Sequence, residues 1–402
     1  MHKQPKARFK FWISALLIVF VLFGICARIL DVIFPINLNR ISDKSSVVLG
    51  KDNELLSVLL TQDGYCRLGS KVSEVDPLFI KILIAYEDKR FFSHFGVDPF
   101  ALVRALIQRI KSGRTISGGS TLTLQTVRLL EPRARTLSNK LIEMLRATQL
   151  EYHFSKQEIL HLYLTLASYG GNLEGIRSAS LAYLNKEPKQ LTVAEAALLV
   201  ALPQKPSRLR PDLYPNQALL NRNKVITRME KMKILDKEKI KEAMEDKIPH
   251  QKYPFPFLAP HLAYSFKFQY PTQKVHQTFI DKTLQLQLEA LLKQQAQFLE
   301  RSQTIAALVV ENKTQKVISY VGSADFFAEH KFGQVDIIKS YRSPGSALKP
   351  FMYAMGFDQG YIHPNTLIQD IPTLFSDYAP KNFKDVFHGM VTIREALHHL
   401  TG

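Results

Sequence analysis

The sequence predicts a mainly α-helical domain behind one N-terminal transmembrane helix, followed by the start of an α/β domain. Three observations predict it. An uncharged apolar run extends from Phe11 to Ala27 behind a basic tail, and helical apolar periodicity dominates from about 72 to 235. Near Thr304 the pattern changes to two β-rich segments around a polar turn.

The first ten residues carry Lys3, Lys6, Arg8 and Lys10 and no acid. The run after them lies at the short end of the ~17–25 residues that cross a bilayer, and exceeds the ~7–15 of a signal-peptide core. A small-residue cleavage site is poorly formed, and Ile25 before Cys26 argues against lipoprotein processing. An uncleaved anchor over 11–30 is therefore expected, in preference to a cleaved signal peptide. The positive-inside rule puts residues 1–10 in the cytoplasm and everything after Arg28 outside it. The 402 residues hold 53 Lys and Arg against 36 Asp and Glu, a net +17, which favours anionic partners. This topology sets nucleic acid aside and leaves anionic lipid or pyrophosphate. Two cysteines exclude a disulfide scaffold, and no C-x-x-C pair offers a zinc site. Cys26 lies in the apolar run, so Cys66 is expected to be a structural thiol.

In chain order, 31–46 reads as a connector, and Ser46–Leu49 and Leu55–Leu60 as short strands. Asp98 can cap a helix that begins with Pro99, with Phe100, Val103, Leu106, Ile107 and Ile110 on one side. In the helix around 137–151, Leu137, Leu141, Met144, Leu145 and Thr148 form the apolar face, with Glu143 on the opposite face one turn after Lys140. From spacing alone that pair reads as an exposed i,i+3 ion pair. Ser155-x-x-Glu158 and Thr192-x-x-Glu195 are capping boxes, each before an apolar run. The helical domain is placed at 47–230 and a linker region at 231–300. The second domain is placed at 301–402, where Ile305–Val310 and Val317–Val321 pair around residues 312–315.

The densest polar cluster runs from Glu87 to Asp98, directly after the apolar segment 79–85. A carboxylate at the end of a buried helix is partly desolvated and can be tuned as a general base. The glycines and hydroxyls at 117–121 can expose backbone N–H groups to a phosphate, and Arg128, Arg133, Arg135 and Lys140 supply charge for a pyrophosphate.

Taken in order, these segments resemble the glycosyltransferase domain of class A penicillin-binding proteins. The motifs are E-D-K-R-F-F-S-H-F-G-V-D at 87–98, G-G-S-T-L-T-L-Q at 118–125, K-L-I-E at 140–143, S-K-Q-E-I-L-H-L-Y-L at 155–164 and A-E-A-A-L-L-V-A-L-P-Q-K-P-S-R-L-R-P at 194–211. The wording at 128–132 and 206–211 is most similar to the 1C subgroup. The resemblance implies a lysozyme-like fold that polymerises lipid II into β-1,4 glycan with inversion, tethered to the bacterial inner membrane by a single pass and working on its periplasmic side. It implies Glu87 as general base and Glu143 as the second acid at the donor pyrophosphate. Asp88, Phe91, His94, Ser120, Thr121, Gln125, Arg128 and Lys140 match cleft, phosphate or sugar positions. Lipid II, the growing glycan strand, the membrane and other cell-wall synthesis proteins are the implied partners. No cofactor is required. A divalent metal, Mg or Mn, assists some members, whereas this sequence shows no dedicated metal cage. Leu124, Leu129, Asn139, His161 and Thr165 depart from the usual pattern, and none of these departures removes either proposed catalytic carboxylate, Glu87 or Glu143.

Arg342–Pro350 contains S-x-x-K, which sets a serine and a lysine one helical turn apart for acyl transfer. With G-S-A-D-F-F at 322–327 and G-Q-V-D at 333–336, it resembles a penicillin-binding transpeptidase, with Ser346 as nucleophile and Lys349 as base. Leu400 and Gly402 stand where that family's S-x-N motif is expected, and no K-T-G follows. A truncated transpeptidase domain without transpeptidation is therefore expected. The alternatives to a monofunctional glycosyltransferase are a catalytically silent lipid II-binding or cell-wall scaffold and a lysozyme-like hydrolase.

Overall fold

The computed structural model describes Gly24 and residues 28–112, 119–382 and 386–399. The expected tail at 1–10 lies outside them, as does most of the expected anchor at 11–30. Residues 28–33 are helical. No helix among the described residues is long and apolar enough to cross a membrane. The chain divides into two compact units, the first ending at Ile338 and the second starting at Lys339.

The first unit is mostly helical. Besides the segment 28–33 and the single turn Asn39–Ser42, its helices are α1 (Pro77–Glu87), α2 (Pro99–Ser112), α3 (Leu122–Leu130), α4 (Leu137–His153), α5 (Lys156–Leu166), α6 (Ile176–Leu184), α7 (Val193–Ala201), α8 (Pro215–Lys231), α9 (Lys237–Glu245), α10 (Pro260–Gln269) and α11 (Lys282–Gln295). At the centre of the core, α7 buries every residue from Ala196 to Ala201, with α1, α8 and α9 packed around it. A helix apolar all round belongs in a core. Both predicted capping boxes form: Ser155 and Thr192 accept from the N3 amides, and Glu158 and Glu195 reach back to the cap N–H. Truncating Leu198, which is 1% exposed, to Ala costs about 2–5 kcal/mol.

The two predicted strands, β1 (Ser46–Leu49) and β2 (Leu55–Leu59), pair as an antiparallel hairpin, Val47 opposite Val58. Those two valines face the main core, while Val48, Leu56 and Leu59 join a second core with Leu258, Ala263, Ile280 and Tyr320. Covered on both faces, β1 buries Ser46, Val47 and Val48 in succession instead of alternating. On its free edge β1 pairs in parallel with β6 (Val275–Gln277). Residues 231–300 thus hold α9 to α11 and one strand. β3 (Cys66–Arg67), β5 (Leu173–Glu174) and β4 (Ser168–Gly170) form a small sheet in that spatial order. Cys66 is buried, and burial pushes its thiol up to about 11, as suits an unreactive structural group. The predicted pair β7 (Ala307–Val310) and β8 (Val317–Val321) is antiparallel.

Two apolar helix faces read from the sequence are largely solvent-exposed. On α4, Leu137, Leu141 and Leu145 are 80%, 64% and 71% exposed, Thr148 is exposed, and Met144 is half-buried. Glu143, Ala147 and Leu150 are the buried residues. On α2, Phe100, Val103, Ile107 and Ile110 are all exposed. Periodicity locates an apolar stripe without saying which side the core takes. Here Gly96 presses on the α4 backbone: a Cβ at Gly96 would lie 2.6 Å from the Ala147 carbonyl oxygen. That contact turns the Glu143–Ala147 side inward.

The second unit contains a 3₁₀ turn, Gly345–Leu348, that runs into α12 (Lys349–Asp358). β9 (Leu367–Asp370) pairs antiparallel with β10 (Gly389–Thr392), and α13 (Ile393–His399) follows.

Candidate active site

Glu87 is the last residue of α1. Asp76 caps that helix by accepting from Leu78 N, Pro77 occupies its first turn, and Phe79, Ile82, Leu83 and Ala85 fix it in the core. A rigid element therefore delivers the Glu87 carboxylate to a half-buried position. Gln125 Nε2 donates to its Oε2 at 2.9 Å, and Gln204 Nε2 to its Oε1 at 3.3 Å. Burial raises the Glu87 carboxyl above its ordinary value, against the lowering effects of Gln125, Gln204 and the Arg228 charge. Arg228 reaches in from α8 with its guanidinium 4.7 Å above the Tyr86 ring.

Beneath Glu87, the Asp88 carboxylate accepts from Leu122 N at 2.9 Å and from His94 Nε2 at 3.0 Å. Asp88 thereby ties the end of α1 to the start of α3. Thr121 caps α3 by accepting from Leu124 N and donates its own proton to Gly96 O. Asp98 caps α2 as predicted, accepting from Ala101 N, and Arg90 grips it with two nitrogens.

The middle of α3 joins the two acids. Gln125 and Arg128 sit one turn apart on it. Gln125 holds Glu87, while Arg128 Nε donates to Glu143 Oε2 at 2.8 Å and Arg128 Nη2 to Ser120 Oγ at 3.3 Å. Glu143 is buried and pairs with Arg128, so the i,i+3 pair with Lys140 read from spacing does not form. Lys140 is exposed and makes no ion pair among the described residues.

The structure thus sorts the ten glycosyltransferase positions inferred from sequence. Glu87 with Gln125, and Glu143 with Arg128 and Ser120, form two hydrogen-bonded groups along α3. Asp88, Phe91 and Thr121 are buried, as is the His94 side chain, and they support these groups from below. Lys140 stands apart. The phosphate-cradling loop expected at 117–121 lies partly outside the described residues. Gln204 and Arg228 were not foreseen as site residues. Gln204 lies inside the quoted P-Q-K-P segment, whereas Arg228 reads as one more cation on a surface helix.

The donors around Glu143 do not fit a divalent metal. One carboxylate oxygen is occupied by a guanidinium, and among the described residues no three His, Cys, Asp or Glu converge.

Residues 54–230 match the family model for the transglycosylase, and residues 305–399 the model for the penicillin binding protein transpeptidase domain. The chain belongs to the class A penicillin-binding proteins, which join these two domains. Penicillin-binding protein 1C of Escherichia coli (strain K12) is 42% identical over 386 residues, covering 96% of this chain and 50% of that protein. Penicillin-binding protein 1A of Aquifex aeolicus is 28% identical over 423 residues, covering 82% of this chain and 58% of that protein. A solved structure, penicillin-binding protein 1A from Haemophilus influenzae, is 15% identical, covers 88% of this chain and 59% of its own, and has a TM-score of 0.37. The chain spans about half the length of the curated relatives it matches.

Proposed function

We propose that this chain is a peptidoglycan glycosyltransferase that polymerises lipid II, with Glu87 as the general base. The observation that carries the reading is the pair of carboxylates held by one helix, Glu87 through Gln125 and Glu143 through Arg128. Glu87 accepts the proton of the acceptor sugar's 4-hydroxyl as that oxygen attacks the donor's anomeric carbon. The carbon–oxygen bond to the lipid pyrophosphate breaks with inversion. The raised affinity of Glu87 for a proton suits a base that must take one near neutral pH. The leaving pyrophosphate develops negative charge, and Arg128, whose side chain is 38% exposed, presents a fixed cation beside Glu143. Lys140 is an exposed cation suited to the same group. In this reading Asp88, Phe91, His94 and Thr121 position the machinery instead of touching substrate.

The exposed apolar residues of α2, of α4 and of Ile29, Leu30, Val32 and Ile33 support a working position against a membrane, behind the anchor at 11–30. We place the catalytic domain on the periplasmic side of the inner membrane, where lipid substrate and tethered enzyme share one surface. Incubating detergent-solubilised chain with labelled lipid II tests the reading. It predicts long glycan polymer. Binding without turnover indicates the scaffold, and shortening of preformed glycan indicates the hydrolase.

A further inference from the structure

The stretch from Asp31, in the helical segment 28–33, to Arg40, in the helical turn Asn39–Ser42, is fastened to the catalytic unit at every third residue. Asp31 Oδ1 accepts from Gln149 Nε2 at 2.8 Å and lies 2.7 Å from His153 Nε2. Phe34 O accepts from Arg146 Nη1 and, at 3.0 Å, from Gln149 Nε2. Asn37 N donates to Glu131 Oε1 at 3.2 Å. Arg40 donates from Nη1 to Leu129 O and from Nη2 to Glu174 Oε1, each at 2.5 Å.

These fastenings fall on two elements only, apart from Glu174. Arg146, Gln149 and His153 lie on α4, one to three turns past Glu143. Leu129 lies in the last turn of α3, directly after Arg128, and Glu131 is the residue that follows the helix. Leu129 O is among the last four carbonyls of α3, which lack intrahelical donors, so Arg40 supplies both the missing hydrogen bond and a cation at a helix C-terminus. Its other hand is anchored deeply. Glu174 is 3% exposed and also accepts from Arg67 Nε at 2.6 Å, and Arg67, fully buried, donates back to Arg40 O at 2.9 Å. A carboxylate shared by two guanidiniums makes a rigid mount, and that mount holds the end of the helix that carries Arg128.

We infer that residues 31–40 are a positioning strap for the Arg128–Glu143 pair, and that Arg40 is a positioning residue for glycosyl transfer. The strap joins the catalytic helices to the segment that leaves the expected anchor. This inference rests on the glycosyltransferase reading, because the pair it positions is assigned to the donor pyrophosphate there.

The test uses the full chain in detergent with labelled lipid II, comparing wild type, Arg40→Ala, Arg40→Lys, Arg128→Ala and the double variant Arg40→Ala/Arg128→Ala. Arg40→Ala is expected to lower kcat about tenfold with KM within about twofold, since a small misplacement of a positioned group is felt in the transition state. Arg40→Lys keeps the charge and one bond and recovers part of that loss. With Arg128 already removed, Arg40→Ala changes kcat less than about twofold, because the two act through one group. An equal loss in both backgrounds, or no loss while wild type polymerises, overturns the strap. If wild type makes no polymer, the glycosyltransferase reading fails, and amide exchange over Val127–Leu130 decides the strap. Exchange about tenfold faster in Arg40→Ala, with α7 unchanged, supports it; unaltered exchange overturns it. Should Arg40→Ala not fold, Arg40→Lys carries both arms, with a smaller kcat loss and a smaller rise in exchange expected and no change in either overturning the strap.

Discussion

Arg128 Nε donates to Glu143 Oε2 at 2.8 Å across 15 residues of sequence, while Lys140, one turn before Glu143, faces solvent. Glu143 is 6% exposed, so removing that guanidinium leaves a buried carboxylate without its ion-pair partner. Arg128→Ala is expected to destabilise the chain by about 1–3 kcal/mol, the smaller end of a buried-pair loss because Arg128 itself is partly solvated. Lys140→Ala stays within about 0.5 kcal/mol. Thermal unfolding in detergent compares the two.

Glu87 makes activity depend on pH in a definite direction. Burial raises its carboxyl, so the acid limb of kcat/KM lies above the ordinary glutamate range, and activity falls as pH drops through the raised value. The linkage has the opposite sign for stability. A carboxyl with a raised folded value binds its proton more tightly in the folded chain, so its ionisation costs stability at neutral pH, and the cost fades as pH falls through that value. Glu87→Gln is therefore expected to raise Tm at neutral pH, by a margin that shrinks in acid. A pH series of melts reads this directly.

Gly96 has φ of +80°, and a Cβ there would lie 2.6 Å from Ala147 O and 2.7 Å from Ala147 C. Both the left-handed backbone and the close approach to α4 require glycine. Gly96→Ala is expected to cost about 2 kcal/mol or more and to weaken activity, since Gly96 O also takes the Thr121 hydroxyl that caps α3. Chemical denaturation measures the stability loss.

Ser346 is exposed and Lys349 only half-covered, and α12 buries no residue: Phe351, Met352 and Met355 are 68%, 61% and 62% exposed. A lysine activates a serine when desolvated beside it, whereas here the serine is open to solvent and the lysine only half-covered. The 402-residue chain is expected to form no stable stoichiometric adduct with a fluorescent penicillin. Rapid labelling that Ser346→Ala abolishes would contradict this.

Local chemistry was the legible part of the fold. The caps at Asp98, Ser155 and Thr192, the strands β1 and β2 and the pair β7–β8 all depend on neighbours in sequence, and all form as read. The inward face of α4 was not legible. Its apolar stripe is real, but burial was decided by Gly96 and Arg128, which approach from other segments. The site divides in the same way. Glu87 at the end of a buried helix could be read from the apolar run before it, whereas Gln204, Arg228 and Arg40 come together only through tertiary structure.

The most direct measurement is lipid II polymerisation by Glu87→Gln against wild type, with lipid II binding followed in the same preparations. Wild type is predicted to convert lipid II to polymer, and Glu87→Gln to bind lipid II as wild type does while losing about 10²–10⁴-fold in rate. Polymerisation by Glu87→Gln at the wild-type rate would contradict the assignment of Glu87 as the base.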